Sequence, residues 1–149
     1  MSEQDVRLAL SIFADATQGG MLDMAEAIAD DELWDRNQQH FDPEAKIKFV
    51  IPGDGVEVME QEYVGIEGLR AGWRAWLVPW DSYLIVIDEI IDAGEGGVLL
   101  LVTSAARMRD TGAEVPQSAA TRFVVKDDRI AEVNFYLDQQ QARREAGLA

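Results

Sequence analysis

The sequence predicts an α+β fold in which helices cover one face of a curved antiparallel sheet. Three observations carry that prediction. Helical periodicity opens the chain, a tryptophan-rich helix follows a first alternating strand, and the second half is four apolar, β-branched-rich segments cut by turn sequences. With 149 residues, 48% of them hydrophobic and 28% charged, the chain reads as one globular domain spanning 1–149, large enough for a core of its own.

Taken in order, "DVRLALSIFADA" places Val6, Leu8, Leu10, Ile12 and Phe13 on one broad helical face before "TQGG" breaks it. A second helix is expected over 21–41, from Met21, Leu22, Met24, Ala25, Ile28, Leu33 and Trp34, with an acidic interruption at Asp30 and Asp31. "FDPEA" reads as a turn, because Pro43 pushes its predecessor out of helical angles. In "KIKFVIP" the period changes to two, Ile47, Phe49 and Ile51 alternating with Lys46 and Lys48, as in a strand with one buried face. "IEGLRAGWRAWLV" is a third helix, with Ile66, Leu69, Trp73, Trp76 and Leu77 on a face of about 100°. "YLIVIDEIID", "GVLLLVTSAARMR", "SAATRFVV" and "RIAEVNFYL" are then strands, and "AGEGG", "DTGAEVPQ" and "KDD" are their turns. Asp138 is placed to cap a closing helix, "QQQARREAGL".

Composition also excludes function classes. The absence of cysteine removes disulfides, thiolate metal sites and thiol nucleophiles. A formal charge of −15 repels phosphate backbones and anionic lipid, so neither nucleic acid nor membrane is an expected partner. The N-terminus lacks the basic-then-apolar pattern of a signal peptide, and no window reaches the roughly 18 apolar residues of a membrane span, so the expected location is cytoplasmic. "YLIVI" and "VLLLV" are apolar on both faces, although a half-exposed antiparallel strand alternates. With few helices to cover both faces, a homodimer packed through the outer sheet face is expected.

The run from about residue 60 to the C-terminus resembles the SnoaL-like branch of the nuclear transport factor 2-like superfamily. The marks are Tyr63, Gly65 and Gly68 opening the third helix, the Asp92 and Gly94 turn, and Tyr136 to Asp138 before the final helix. The resemblance implies a cone, with the sheet curled around the third helix and an apolar cavity open at one end. It also implies relatives that are polyketide cyclases, ketosteroid isomerases or epoxide hydrolases working without a cofactor, beside others that only bind or assemble. Fold does not choose among these.

The catalytic patterns of those relatives are missing here. Ketosteroid isomerases carry an aspartate before a proline on the first strand, where this chain has Ile51 before Pro52. The epoxide hydrolases carry a carboxylate on the last strand and an Arg-x-Asp pair on a middle one; Phe135, Val102 and Ser104 stand in those places. His40 is the single histidine, so no histidine cluster exists for a metal. Two acid–base candidates remain. Glu89, in phase with Tyr83, Ile85 and Ile87, either lines the cavity, where desolvation would raise its pKa, or lies past the rim in water. Tyr63 either donates to an oxyanion or packs its ring on the helix.

For a small apolar ligand, the expected contacts from the helix and its entry are Tyr63, Trp73, Trp76 and Trp80. Those from the strands are Phe49, Ile51, Tyr83, Ser104, Thr121, Phe123 and Phe135. Trp73 and Trp76 have core spacing on a face that also walls the cavity, while Pro79 ends the helix and leaves Trp80 as a candidate lid. Two readings stay open: a cofactor-free isomerase, cyclase or hydrolase using Tyr63 and Glu89, or a non-catalytic binding or dimeric module.

Overall fold

The computed structural model describes residues 21–50 and 62–148. The expected helix over 5–16 lies outside them, as does Ile51. The described chain runs β1 (Met21–Asp23), α1 (Met24–Ala29), α2 (Asp31–Asn37), a 3-10 turn at Gln38–His40, β2 (Phe41–Val50), β3 (Glu62–Val64) and α3 (Gly65–Leu77). It continues with β4 (Trp80–Asp92), β5 (Val98–Met108), β6 (Glu114–Lys126), β7 (Arg129–Tyr136) and α4 (Gln139–Glu145). The strands form one curved, unclosed sheet in the order β1-β4-β5-β6-β7-β2-β3. It is the α+β roll that the patterning predicted, antiparallel apart from one pair, β2 with β7.

Local chemistry decides two departures from the expected elements. The single helix over 21–41 is instead a short strand and two helices. Asp23 caps α1, its carboxylate accepting from the Ala25 and Glu26 amides, and Asp30 caps α2 by accepting from Leu33. The acidic interruption in the pattern is thus a helix break. The expected turn at Pro43 is part of β2, where the pairing with β7 shifts register between Phe41 and Lys46. A proline inside a strand is tolerated at such an irregularity, where no ladder donor is lost.

The remaining marks fold as expected. Gly94 donates to the Asp92 carboxylate in the β4–β5 turn, and Asp138 accepts from Gln140 and Gln141 to cap α4. Helix α3 lies in the hollow of the sheet and approaches it closely. A Cβ at Gly68 would stand 2.9 Å from the Tyr63 Cβ, and one at Gly72 would stand 2.4 Å from the Phe49 ring. Glycine at Gly72 costs helix propensity of about 1 kcal/mol and admits the aromatic contact instead. Arg70 of α3 is 8% exposed. Its guanidinium donates twice to the Ile28 carbonyl at the end of α1, pairs with Asp31 and lies 5.6 Å from the Trp34 ring. This one side chain ties α1 and α2 to α3.

The core has two parts. The larger fills the hollow between α1–α3 and the inner sheet face. The smaller lies on the outer face, where Leu99, Leu101, Ala120 and Tyr136 pack against Ala142 of α4. Leu99 and Leu101 are 0% and 5% exposed. Leu99 and Leu101 of "VLLLV" are thus covered by α4 within the chain, and the outer positions of β4, Leu84 and Val86, are half-buried.

Candidate functional site

Strand alternation and α3 together build an apolar cavity of about 40 Å³. Trp73 and Trp76 project from α3, Phe49 from β2, Tyr83 and Ile85 from β4, Val102 and Ser104 from β5, Ala119 and Thr121 from β6, and Phe135 from β7. Val50, Ala120, Tyr136 and Leu137 complete the wall where β2 and β7 end.

The rings are ordered by register. Phe49 and Phe135 are opposite each other in the β2–β7 pair and stack at 4.6 Å and 17°. Trp73 sets an edge against both, at 6.3 and 5.3 Å, and meets Tyr83 at 5.9 Å. Trp76, Trp80 and Tyr83 form a further cluster with centroids 5.7 to 6.4 Å apart. Edge-to-face contacts of this kind add to burial and hold each ring in one orientation.

Of the expected contacts, Phe49, Trp73, Trp76, Tyr83, Ser104, Thr121 and Phe135 are on the wall. Phe123 is fully buried towards the narrow end, beside a smaller cavity shared with Met24, Trp34 and Leu69. Trp80 is behind the wall, packed on Trp76 and Tyr83. Its join to α3 is pinned from the β5–β6 turn, because the Arg109 amide donates to the Pro79 carbonyl and the Arg109 guanidinium to that of Val78. Its indole N–H is buried without a hydrogen-bond partner.

The two acid–base candidates stand apart from the cavity. Tyr63 pairs with Ile47 at the sheet edge and sets its ring against Phe49 at 5.9 Å. Glu89 is on the outer face. Pairing of β4 with β5 slips between Ile87, opposite Val102, and Glu89, opposite Leu101. This β-bulge absorbs Asp88 and reverses the phase by which Glu89 followed Tyr83, Ile85 and Ile87 inward. The Glu89 carboxylate instead faces Arg143 of α4 at 3.6 Å, with 53% of the side chain exposed. His40 ends the 3-10 turn before β2, away from the wall. Among the described residues no group of three His, Asp or Glu side chains is placed to hold a metal ion, and no helix is long and apolar enough to cross a membrane.

Sequence reasoning missed several wall residues. Ile85, Val102 and Ala119 share the parity of Tyr83, Ser104 and Thr121, so alternation alone would have found them. Tyr136 carried a signal in the Tyr-Leu-Asp mark. Its backbone is at the end of β7, and its phenol is on the outer side, near Arg122 and Glu145. Burial raises the Tyr136 pKa above 10.0; Glu145 adds to the rise and Arg122 opposes it. The phenol is therefore a neutral hydrogen-bonding group.

Phe135, Val102 and Ser104 all face the cavity. The positions that would carry an epoxide-hydrolase-like acid and its partners are thus inward, and hold no ionisable group.

An α+β cone around an aromatic cavity defines the class: a nuclear transport factor 2-like fold. The profile of the SnoaL-like domain matches residues 22–133, about three-quarters of the chain, and the protein belongs to that family. Among solved structures, it is similar to a nuclear transport factor 2-like protein of unknown function from Burkholderia pseudomallei K96243. The TM-score is 0.67 at 14% identity, with 98% of each chain covered. A protein of ketosteroid isomerase-like fold from Catenulispora acidiphila DSM 44928, in complex with trimethylamine, matches with TM-score 0.57 and 10% identity over 100% of this chain and 95% of that one. TerC, co-crystallised with polyporic acid, matches with TM-score 0.66 and 11% identity over 97% of this chain and 99% of that one. At these identities the likeness is one of fold. No curated protein matches the sequence significantly.

Proposed function

We propose that the cone binds a compact apolar molecule and acts as a binding pocket, not as a site of proton transfer. The observation that carries this reading is the wall itself: six aromatic side chains, hydrocarbon, and hydroxyls at Ser104 and Thr121, with no carboxylate or imidazole among the described lining residues. Acid–base catalysis needs a group that changes protonation within hydrogen-bond reach of the ligand. Glu89, the carboxylate best matched to that task in the sequence, is instead ion-paired on the outer face.

Size narrows the ligand. Sites for drug-sized molecules measure about 300–1,000 Å³, against about 40 Å³ here. A molecule of a few heavy atoms fits with small adjustments of the rings, while a steroid or polyketide needs the wall to open. The Catenulispora protein of similar fold is in complex with trimethylamine, itself a compact molecule, which is in keeping with this reading. A thermal-shift series of compact hydrocarbons, alcohols, amines and epoxides tests the reading. A true ligand at about 100 times its Kd stabilises the native state by about 2.7 kcal/mol, and Ala119→Phe, which fills the cavity, should abolish the shift. A series in which no member gives a saturable shift would sink the proposal. Ligand turnover would favour the enzymatic reading.

A further inference from the structure

One rung of the sheet at the cavity stands out from the hydrocarbon around it. Ser104 of β5 and Gln117 of β6 are opposite each other in the antiparallel register. Ser104 lines the cavity; Gln117, half-buried beside it, shares the parity of the lining residues Ala119 and Thr121 but is not itself on the wall. Ser104 is 1% exposed, and its hydroxyl donates over a long 3.4 Å to the Gln117 main-chain carbonyl. The Gln117 side-chain oxygen is buried and has no hydrogen-bond partner among the described residues. A buried acceptor left unsatisfied carries a full desolvation penalty, and native folds seldom keep one without a use.

We propose that the Ser104–Gln117 rung reads the polar head of the ligand, and that this head is a hydrogen-bond donor: a hydroxyl or an N–H on a compact apolar body. The chemistry follows from what the two side chains offer. The Gln117 oxygen can only accept. The Ser104 oxygen, its hydrogen directed to the Gln117 carbonyl, has lone pairs free to accept as well. Two acceptors with no Lys or Arg among the described lining residues disfavour a carboxylate or phosphate head, and the charge of −15 adds to that. The apolar body lies against Trp76, Tyr83 and Ile85, of which Ile85 is opposite Ser104 on the other side of β5. Gln117 is thus a specificity-determining residue, selecting an alcohol or amine over a hydrocarbon or acid of the same shape.

This inference rests on the binding reading above, and one experiment separates their failures. Cyclopentanol and methylcyclopentane have nearly the same shape and differ in a hydroxyl against a methyl. Their Kd values, measured by NMR titration on the intact protein, give a ratio in which the common apolar contribution cancels. Gln117→Met keeps the side-chain length and removes the amide. It should weaken cyclopentanol about tenfold and leave methylcyclopentane unchanged, and Ser104→Ala should shift the ratio in the same direction. If Gln117→Met does not fold, Ser104→Ala alone decides, by the same ratio. A ratio unchanged in the folded variants overturns the assignment of the rung while leaving the apolar pocket standing. If the wild type binds neither molecule, both readings fall together.

Discussion

The two faces of β5 carry the same residue type under different cover. Leu100 points into the cone and packs with the large core; Leu99 and Leu101 point outward and are buried as deeply by the seven-residue helix α4 with Tyr136. Farther along the strand the outer positions become Thr103, Ala105 and Arg107 and are exposed. An apolar stretch of outer face is here covered from within the chain. A short C-terminal helix can bury it, provided the helix is capped and latched. Asp138 caps α4, and the Gln139 side-chain amide donates to the Val102 and Ala119 carbonyls.

The largest test of that comparison is Ala142→Asp. Ala142 is 0% exposed against the outer leucines, and an unpaired buried charge costs about 3–5 kcal/mol. Undocking α4 relieves the charge but uncovers Leu99 and Leu101. The expected result is a lowered urea midpoint together with self-association in light scattering. A monodisperse, stable variant would show that the outer cluster matters little. Leu100→Ala, on the inner face, should cost about 2–5 kcal/mol without self-association, because the cavity it leaves is enclosed. Equal association for both variants would erase the distinction between the faces.

Tyr136→Phe asks less. It removes a hydroxyl bonded to two charged groups and should cost about 1–2 kcal/mol. It also carries a pH signature. A phenol whose folded pKa is raised contributes stability in full below the unfolded value of 10.0 and loses it as pH rises through the folded value. Denaturation curves above pH 10 should converge for wild type and variant, and a constant gap would contradict the raised pKa. Glu89→Gln is the smallest change expected. Half-exposed ion pairs such as Glu89–Arg143 contribute roughly 0–1 kcal/mol, and ligand shifts should not change. Loss of ligand response in Glu89→Gln would return this carboxylate to the site.

Much of the fold was legible because its signals are local. The change of period at Ile47, the face of α3 and the turn chemistry at Asp92 and Asp138 each depend on a few neighbouring residues. So did the wall: Trp73, Trp76, Tyr83 and Ser104 follow from alternation and helical spacing. Where reading failed, a non-local fact intervened. The bulge at Asp88 turns Glu89 outward, and nothing in "VIDEII" marks it, since a bulge exists only relative to the partner strand. Arg70 carries a charge, yet is buried because the end of α1 arrives there with an open carbonyl.

The sequence by itself determined the α+β class, the order of the principal elements, the aromatic face of α3 and the absence of cysteine chemistry. Those follow from periodicity and composition, which are properties of the chain taken a few residues at a time. Tertiary structure alone decided that α4 covers the outer leucines, that Glu89 is on the outer face, and that Gln117 stands opposite Ser104. Each depends on which residue of a distant strand or helix is opposite, and pairing register is settled by the whole sheet at once.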